Sequence, residues 1–598
     1  MFRRDPLAPL LAAILSFAIR AQDRPDPDEA CWGCHEGADS SMVMADGAEL
    51  PIGIGREAFL VSAHGRLACT DCHEGLDPAE HCAADRPSLA EYRRQAARAC
   101  GRCHGDESDR APRVGATLHS DAKAGSPLCT DCHAAHAVRR GDPRGAVPAC
   151  ARCHGGIYAQ FAASAHGAGV LDRGADAPSC VDCHSGHESL GKGAALSRVR
   201  LAQPCMKCHE DREMMDRHGL STRVVRTYLN DFHGTSVKLQ ADAGGGGGPP
   251  ALVCADCHGI HGVARAGPDY AKVMKQNLVH ICRRCHEDVS TGFSDAWLSH
   301  YEPTLDNAPL VLLVKIGYWI LIPFVIGGLS LQILAHLVLA PWLAKKRAAR
   351  RPRRSGALEP QVLRFGLRPR IEHALVMVLF AALLLTGLPQ RFHDSAWAIR
   401  LTALFGGIDA ARAIHRAAGV AFALLCLEHV LAALREVVVE RAEPSMIPRK
   451  ADFAAAMANL KYYIGLANEP PRFDRFDYRQ KFEYWGMLVG SAVMIASGFV
   501  LYFPGVFAEF LPGQVIPAAK EAHGYEAMMA MLTIVIWHMY GAHLNPDCFP
   551  ADLGIFTGRI PLSRMKHEHA LEYKRRKREL EDAGAEGAAA RVAALPES

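Results

Sequence analysis

Cysteine and histidine recur in one short pattern through the first half of the chain. The pattern Cys-x-x-Cys-His occurs nine times between Cys31 and His286. Two thiols at this spacing can form thioethers to the vinyl groups of a heme, and the adjacent histidine can then ligate the iron. Zinc sites and disulfide frameworks also use paired cysteines, but neither needs a histidine after every second cysteine. The pattern therefore predicts nine covalently attached hemes c.

The nine motifs assign a role to most cysteines of the chain. The predicted thioether cysteines are Cys31, Cys34, Cys69, Cys72, Cys100, Cys103, Cys129, Cys132, Cys150, Cys153, Cys180, Cys183, Cys205, Cys208, Cys254, Cys257, Cys282 and Cys285. The predicted proximal iron ligands are His35, His73, His104, His133, His154, His184, His209, His258 and His286. Three cysteines remain outside the motifs, and we interpret Cys82, Cys426 and Cys548 as structural.

Eleven further histidines in residues 1–305 lie outside the motifs, and nine hemes with two histidine ligands each need nine of them. Their order repeats four times: a lone histidine, then Cys-x-Asp-Cys-His, then a plain Cys-x-x-Cys-His. The histidine that closely follows a Cys-x-Asp-Cys-His motif cannot reach the far face of its own iron, so we expect it to cap a neighbouring heme. The candidate distal ligands are His64, His81, His119, His136, His166, His187, His233, His261 and His300, with His218 and His280 as bystanders.

The second half of the chain contains five apolar segments, each long enough to cross a membrane. They lie at about 313–342, 372–390, 413–434, 484–503 and 520–543. Basic residues flank alternate ends of these segments, at 345–354, in the loop after the third segment and at 574–578. The positive-inside rule places these basic parts in the cytoplasm and the start of the first span in the periplasm.

The N-terminus agrees with that orientation. It reads MFRRDPLAPLLAAILSFAIRAQ, a basic start followed by a short apolar stretch. This pattern is typical of an export signal cleaved near Ala21, and an uncleaved anchor is the alternative. Heme c attachment outside the cytoplasm requires such export. The net charge of +3 gives no indication of nucleic-acid binding.

Histidines inside membrane spans are costly and usually functional. His415 and His523 lie near the periplasmic starts of two spans, and His538 lies near the cytoplasmic end of the second. Either His373 or His429 can serve as the partner of His538. Two helices with a histidine near both ends can hold two hemes b, one on each side of the membrane, whereas we interpret His336 as a polar core residue.

A carboxylate also lies inside the third span. Glu428, beside His429, is a candidate proton acceptor for quinol oxidation, because that reaction releases two protons. The alternative is a structural carboxylate paired with an arginine from the basic loops.

Several of these residues carry a family resemblance. Residues 364–580 resemble the cytochrome b subunits of formate dehydrogenase and nickel–iron hydrogenase. The residues that carry it are Arg370-x-x-His373 leading to Thr386-Gly387, Arg412-x-x-His415, YRQKFEYWG at 478–486 and Trp537-His538-Met539-Tyr540. The resemblance implies a periplasmic heme b held by His415 and His523, a cytoplasmic heme b held by His373 and His538, and a nearby menaquinone site. The spacing from His523 to His538 is one residue longer than in that family, and His429 is an additional candidate.

Nine motifs for heme c followed by this membrane module resemble the Cbc-type inner-membrane menaquinol oxidoreductases. The resemblance implies a quinol oxidoreductase that passes electrons through two hemes b to the hemes c and on to periplasmic c-type cytochromes. Its expected location is the bacterial inner membrane, with the C-terminus in the cytoplasm, and its oligomeric state stays open. The alternatives are a terminal reductase of a small nitrogen or sulfur compound and an electron-transfer subunit of a separate dehydrogenase.

Together these patterns predict an all-α protein. About 31 residues per heme are too few for an ordinary apolar core, so the hemes must form the core of the periplasmic domain, which has little regular structure. The second part is a five-helix transmembrane bundle. The predicted divisions are a signal peptide at 1–21, a nonaheme domain at 22–305, a first transmembrane helix at 306–345, a basic linker at 346–363, a diheme cytochrome b domain at 364–545 and a cytoplasmic tail at 546–598.

Overall fold

The computed structural model describes residues 28–37, 39–76, 86–104, 127–139, 143–172, 176–184, 198–242, 252–264, 277–286, 289, 291–294, 300, 302–339, 360–545 and 549–582. The predicted signal peptide, His81, His119, His187, Cys82, Cys548 and most of the basic linker lie outside these residues. The chain divides into two compact units. The first comprises Met1–Leu196, Arg200–Cys205 and Cys254–Ala271, and the second comprises Ser197–Val199, Met206–Val253 and Lys272–Ser598.

The first unit consists of short helices with one two-stranded sheet. Strands β1 (Ser41–Val43) and β2 (Glu49–Pro51) pair in antiparallel orientation. The helices are α1 (Glu29–His35), α2 (Arg56–Leu60), α3 (Cys69–Cys72), α4 (Leu89–His104), α5 (Cys129–Cys132), α6 (Pro143–Ala151), α7 (Gly155–Ala162), α8 (Ala165–Leu171) and α9 (Cys180–His184). Helix α10 (Arg198–His209) contributes residues to both units, and α14 (Cys254–His258) returns to the first.

The aspartate of the Cys-x-Asp-Cys-His motif has a structural role in these helices. Asp71 and Asp131 accept a hydrogen bond from the backbone N–H three residues earlier, at 2.8 and 2.6 Å. Asp182 makes the same bond to the N–H of Ser179 at 2.7 Å. A side chain at the third helical position that reaches back to the residue before the helix stabilises the first turn. This bond holds the turn that carries each pair of cysteines.

The second unit begins with a group of short helices. They are α11 (Arg212–Arg217), α12 (Arg223–Leu229), α13 (Phe232–Asp242), α15 (277–283) and α16 (Thr291–Ser294). Helix α13 packs against residues 390–412 of the membrane region through polar contacts that are described below. The last heme-attachment motif, Cys282–His286, belongs to this unit.

Five long apolar helices follow, as the sequence predicted, so the prediction of an all-α protein with a five-helix membrane bundle is confirmed. They are α17 (Pro309–Leu334), α18 (Leu367–Arg391), α20 (Ile408–Val438), α22 (Tyr478–Tyr502) and α24 (Val515–Leu532). Three shorter helices, α19 (Ala396–Leu404), α21 (Lys450–Tyr463) and α23 (Pro504–Phe510), lie between them. Helix α17 continues as a π-helix over Ala335–Leu339, and α24 continues as π-helical turns over Thr533–His538 and Tyr540–Leu544.

The described part of the predicted tail is folded. Strand β3 (Gln361–Leu363) pairs in antiparallel orientation with β4 (Arg559–Pro561), and Val362, Ile560 and Met565 form a small buried core. Helices α25 (Gly554–Thr557), α26 (Leu562–Glu568) and α27 (Ala570–Asp582) complete this cap. A buried ion pair joins Arg364 to Glu572 at 2.8 Å. The cap thereby fixes the start of α18, the helix that carries His373.

Candidate functional site

The first candidate site lies between α20 and α24. The rings of His415 and His523 face each other with centres 6.2 Å apart. A metal ion between two imidazoles that each bind at about 2 Å separates the ring centres by roughly 6 Å. The observed separation fits a single iron between the two rings.

The hydrogen bonds around these rings determine which nitrogen is available. Nδ1 of His415 lies 2.9 Å from the hydroxyl of Thr386, and this hydroxyl donates to the carbonyl of Ala382 at 2.7 Å. The hydroxyl therefore accepts from Nδ1–H. Ser497 repeats the arrangement, with His523 Nδ1 at 3.0 Å and its own bond to the carbonyl of Val493 at 2.6 Å. Both imidazoles are held with Nε2 unprotonated and available to a metal.

Glycines complete this first site. A Cβ atom at Gly387 would lie 2.9 Å from Cε1 of His415, and one at Gly498 would lie 3.4 Å from Cε1 of His523. Each glycine directly follows the hydroxyl residue that orients the ring. The hydroxyl orients the imidazole while the glycine leaves room for it, so a hydroxyl–glycine pair in each neighbouring span supports one ligand.

The second candidate site joins His373 of α18 to His538 in the π-helical continuation of α24. Their ring centres are also 6.2 Å apart. Glu483 accepts a hydrogen bond from Nδ1 of His538, which again leaves Nε2 for a metal. A π-helical turn takes up one more residue than an α-helical turn. The turn at Thr533–His538 therefore accommodates the additional residue between the two histidines of this helix.

His429 is engaged differently. Its Nδ1 lies 2.9 Å from a carboxylate oxygen of Glu372, and its Nε2 lies 3.0 Å from the hydroxyl of Tyr484. Both ring nitrogens have protein partners, so neither is left for iron in this arrangement. Of the two candidates for partner of His538, the geometry favours His373, and the assignment stays a prediction.

Glu428 lies beside this cluster. Its carboxylate forms an ion pair with Arg368 Nε at 3.3 Å, and its side chain is 51% exposed. Arg368 also contacts Glu372 at 2.6 Å and Glu436 at 3.0 Å. Arg368 lies in the first turn of α18 and not in one of the basic loops. Both the structural role and the quinone role of Glu428 stay predictions.

The same ring geometry recurs among the heme-attachment motifs. Four pairs in the described residues join a motif histidine to a lone histidine, with ring centres 5.9 to 6.4 Å apart. They are His104 with His64, His73 with His136, His184 with His261, and His286 with His233.

Two kinds of pairing occur. The lone histidine that opens a repeat faces the plain motif of the same repeat, as His64 and His233 do. The histidine that follows a Cys-x-Asp-Cys-His motif faces a motif in the preceding repeat: His136 faces His73, and His261 faces His184. The two rings thus face a motif of the preceding repeat, and capping of a neighbouring heme by such a histidine stays a prediction.

For two of the remaining candidate ligands the structure gives hydrogen bonds. His35 donates from Nδ1 to the carbonyl of Ile52 at 2.9 Å, which orients it as a ligand. The backbone N–H of His300 donates to the hydroxyl of Thr227 at 2.8 Å. Distal roles for His166 and His300 stay predictions, as does the bystander role of His218 and His280.

Cysteines of successive motifs lie next to each other in the first unit. Hydrogen-bonding contacts join the thiols of Cys31 and Cys69, Cys100 and Cys129, Cys150 and Cys180, and Cys205 and Cys254. Cys72 also lies near Cys103, and Cys132 lies near Cys150. The first six motifs therefore follow one another in space in chain order, and the seventh and eighth are neighbours.

The last motif lies at the end of the membrane bundle that carries His415 and His523. Residues 230–238, which include His233 and the start of helix α13, are held there by a set of contacts that we call the junction: Arg412 to Ser236, Lys520 to Asn230, His393 to Asn230 and Lys238 to Asp394. The bond from Arg412 Nη1 to Ser236 Oγ is 2.8 Å long. Ser236 lies three residues after His233, and Arg412 lies three residues before His415. One hydrogen bond thus links the helical turns of two candidate heme ligands.

A neutral histidine lies within the junction. Burial, together with the nearby Lys238, Lys520 and Arg391, lowers the pKa of His393 to about 4. At neutral pH its Nε2–H donates to the side-chain oxygen of Asn230 at 3.2 Å. The junction therefore adds no charge at this position.

Sequence reasoning did not single out several residues of these sites. Ser497 and Lys520 had no predicted role, and Thr386 and Glu483 appeared only within the family pattern. Two spans each contain a hydroxyl residue followed by glycine, Thr386-Gly387 and Ser497-Gly498. That repeated dipeptide was a signal that could have identified both supporting residues.

Comparisons with known proteins identify similar cytochrome b proteins for the membrane half of the chain. Residues 316–548 match the profile of the family described as prokaryotic cytochrome b561. The chain is also 24% identical over 223 residues to a protein of Haemophilus influenzae (strain ATCC 51907 / DSM 11121 / KW20 / Rd) named formate dehydrogenase, cytochrome b556 subunit. The aligned region covers 36% of this chain and 84% of that relative. Both findings support a cytochrome b-type, electron-transferring membrane subunit for the second half of the chain.

Proposed function

We propose that the chain is a membrane-bound quinol oxidoreductase, acting on menaquinol, that delivers electrons through two hemes b and nine hemes c to periplasmic c-type cytochromes. The proposed setting is anaerobic or extracellular respiration in the bacterial inner membrane, with the first unit in the periplasm and the C-terminus in the cytoplasm. This is the function implied by the resemblance to the Cbc-type oxidoreductases. The junction between α13 and the membrane bundle is the observation that carries the proposal.

The residues present fit the hemes that the proposal requires. Each membrane pair has a ring separation of 6.2 Å and at least one imidazole with Nε2 free. Heme supplies one-electron redox chemistry when bound at these positions. The protein orients the imidazoles through Thr386, Ser497 and Glu483 and links the turn of His415 to the turn of His233.

The proposed path of electrons follows these contacts. It joins the pair His373 and His538 to the pair His415 and His523, and it continues from His415 and His523 through the junction to His233 and His286. The order of the first six motifs along the chain supports a heme wire in the first unit. A second histidine faces the motif histidine in each of the four described c-type pairs, which argues against an open axial position at these four motifs.

The test uses the full-length protein in lipid nanodiscs, with heme content measured first. Anaerobic mixing with a menaquinol analogue should reduce the b-type absorption bands and then the c-type bands in a stopped-flow experiment. Reduction of the c-type bands should slow when Ser236 and Asn230 are both replaced by alanine, with the b-type bands unaffected. A wild-type protein that a menaquinol analogue does not reduce would contradict the proposal.

A second candidate function rests on the relative from Haemophilus influenzae, which is named as a subunit of formate dehydrogenase. In that case a separate dehydrogenase would supply the electrons and the chain would carry them. Purification from the native membrane without crosslinking distinguishes the two functions: a stoichiometric dehydrogenase subunit supports the second, and quinol-dependent reduction of the isolated chain supports the first.

A further inference from the structure

A carboxylate is buried within the membrane bundle, away from the glutamates considered so far. Glu526 of α24 is 5% exposed. It lies eleven residues after the start of that helix, about 16 Å along its axis. A carboxylate at this depth of a membrane is expensive and marks a functional site by default. Glu526 also lies three residues after His523, so it is about one helical turn from a candidate heme b ligand.

The neighbouring helices accommodate this carboxylate. Tyr318 of α17 donates a hydrogen bond to Oε2 of Glu526 at 2.8 Å. A Cβ atom at Gly490 of α22 would lie only 2.5 Å from Oε1 of Glu526. Glycine at this position therefore lets α22 approach the carboxylate, and a larger residue would displace it.

Tyr318 also lines an apolar groove on the surface of the bundle. The groove has a volume of about 630 Å³ and is formed by residues of α17 from Val314 to Phe324 and by Ala522 of α24. That volume is within the range of small-molecule sites, which combine apolar walls with a few polar groups. Here the hydroxyl of Tyr318, backed by Glu526, is the polar group.

Polar side chains continue from this pair toward the end of the bundle where α17 and α24 begin. The ring of Tyr525 stacks on Tyr318 with centres 5.7 Å apart, and the guanidinium of Arg391 lies 4.8 Å from the centre of the Tyr525 ring. Arg391 and Lys315 pair with Glu521 at 3.7 and 3.3 Å. These groups form a chain of contacts from Glu526 to the predicted periplasmic end.

We propose that the groove at Tyr318 binds the headgroup of a quinol and that Glu526 accepts its protons. This inference rests on the proposed quinol oxidation and locates it beside the pair His415 and His523 rather than at Glu428. Oxidation breaks the two O–H bonds of the quinol and yields a quinone, two protons and two electrons. The protons pass one at a time through the hydroxyl of Tyr318 to Glu526, and from Glu526 to water at the end of the bundle where α24 begins. Two one-electron acceptors are needed, and the two hemes b that the pairs His373 with His538 and His415 with His523 would hold can supply them.

The first test measures binding without turnover. A photoreactive quinone analogue should label α17 in the full-length protein in nanodiscs. A leucine at Gly317 would fill the groove, and a Cβ atom there meets no other atom within 4 Å, so the fold should tolerate Gly317→Leu. We expect at least a tenfold loss of labelling in this variant. Gly327→Leu is the matched control, because it adds the same side chain to the same helix outside the groove and also meets nothing within 4 Å.

The second test measures proton acceptance. Glu526→Gln keeps the shape of the side chain and should keep both hemes b and the quinone labelling. Positioned proton acceptors contribute about 100-fold or more to rates, so reduction of the hemes b by a menaquinol analogue should slow by about that factor. Tyr318→Phe should slow it as well, and Glu428→Gln should not.

The outcomes separate this inference from the proposed function. Undiminished labelling of Gly317→Leu, or wild-type reduction rates in Glu526→Gln, would overturn the quinol site while a reducible wild-type protein still supports quinol oxidation. Loss of labelling in Gly317→Leu with retention in Gly327→Leu supports the quinone-binding site, whatever the reduction rates are. If Glu526→Gln loses heme b, its slower reduction cannot be assigned to proton acceptance. Tyr318→Phe then decides, because it removes a single oxygen atom from the proposed proton path and leaves the packing of α17 in place.

Discussion

The choice between His373 and His429 as the partner of His538 leads to opposite expectations for two alanine variants. His373→Ala removes one of two rings whose centres are 6.2 Å apart, so the iron between them loses a ligand. We expect this variant to retain nine hemes c and only one heme b. His429→Ala removes a ring whose nitrogens contact Glu372 and Tyr484, and it should retain both hemes b.

The energetic cost of His429→Ala can be worked from the same contacts. A hydrogen bond to a charged group contributes about 1.5 to 3 kcal/mol, and one to a neutral group contributes about 1 kcal/mol. Glu372 keeps its ion pair with Arg368, at 2.6 Å, so it is not left without a partner. The expected destabilisation is therefore about 2.5 kcal/mol, at the lower end of the sum.

Pyridine hemochrome spectra of the purified variants measure the ratio of heme b to heme c, and the temperature at which the heme b Soret band is lost measures stability. His336→Ala is the control, because His336 hydrogen-bonds Tyr540 at 2.6 Å and is not expected to ligate iron. It should retain both hemes b. Loss of one heme b from His429→Ala, with both retained in His373→Ala, would refute the assignment.

Three further outcomes are expected. Hemochrome analysis of the wild type should give nine hemes c and two extractable hemes b, and absence of extractable heme b would contradict both membrane sites. Thr386→Val removes the acceptor of His415 Nδ1–H while keeping the side-chain shape, so retention of one heme b on dilution should fall about tenfold or more; unchanged retention would exclude this role. Burial and the nearby Arg364 lower the pKa of His569 to about 4, below its unfolded value of about 6.5. As the pH falls, the unfolded chain binds a proton at this histidine at a higher pH than the folded chain does. The stability contributed by the neutral histidine is therefore complete above about pH 6.5. It is lost as the pH falls toward 4, by up to about 3 kcal/mol. Limited proteolysis of α26 and α27 between pH 7 and 4 should show this loss, and His569→Gln should show a smaller pH dependence.

Part of this architecture could be predicted from the sequence because the relevant signals are local. A run of about twenty apolar residues predicts a membrane span without knowledge of its neighbours. The same holds for Cys-x-x-Cys-His, in which the two thioether cysteines and the iron-ligating histidine lie within five residues. The spans and the positions of His415, His523 and His538 within them could therefore be predicted from the sequence.

Contacts between helices were harder to predict from the sequence, because they depend on how each helix is rotated about its own axis. The partner of His538 depends on which face of α18 and α20 points inward, and sequence separation does not determine this. The support of His523 by Ser497 has the same origin. The fold within the predicted tail could not be predicted for a related reason: the pairing of β3 with β4 joins residues nearly two hundred positions apart.

The exchange of ligands between repeats has a consequence for how the protein matures. His73 faces His136, which belongs to the next repeat, and His184 faces His261 in the same way. If these rings ligate iron as proposed, a heme attached at Cys69 and Cys72 remains open on one face until the following repeat has been exported. A chain interrupted after the first repeat would therefore leave that heme with one histidine ligand and one exposed face. Maturation of one repeat thus depends on export of the next, because the second ligand of a heme in the earlier repeat is supplied by the later one.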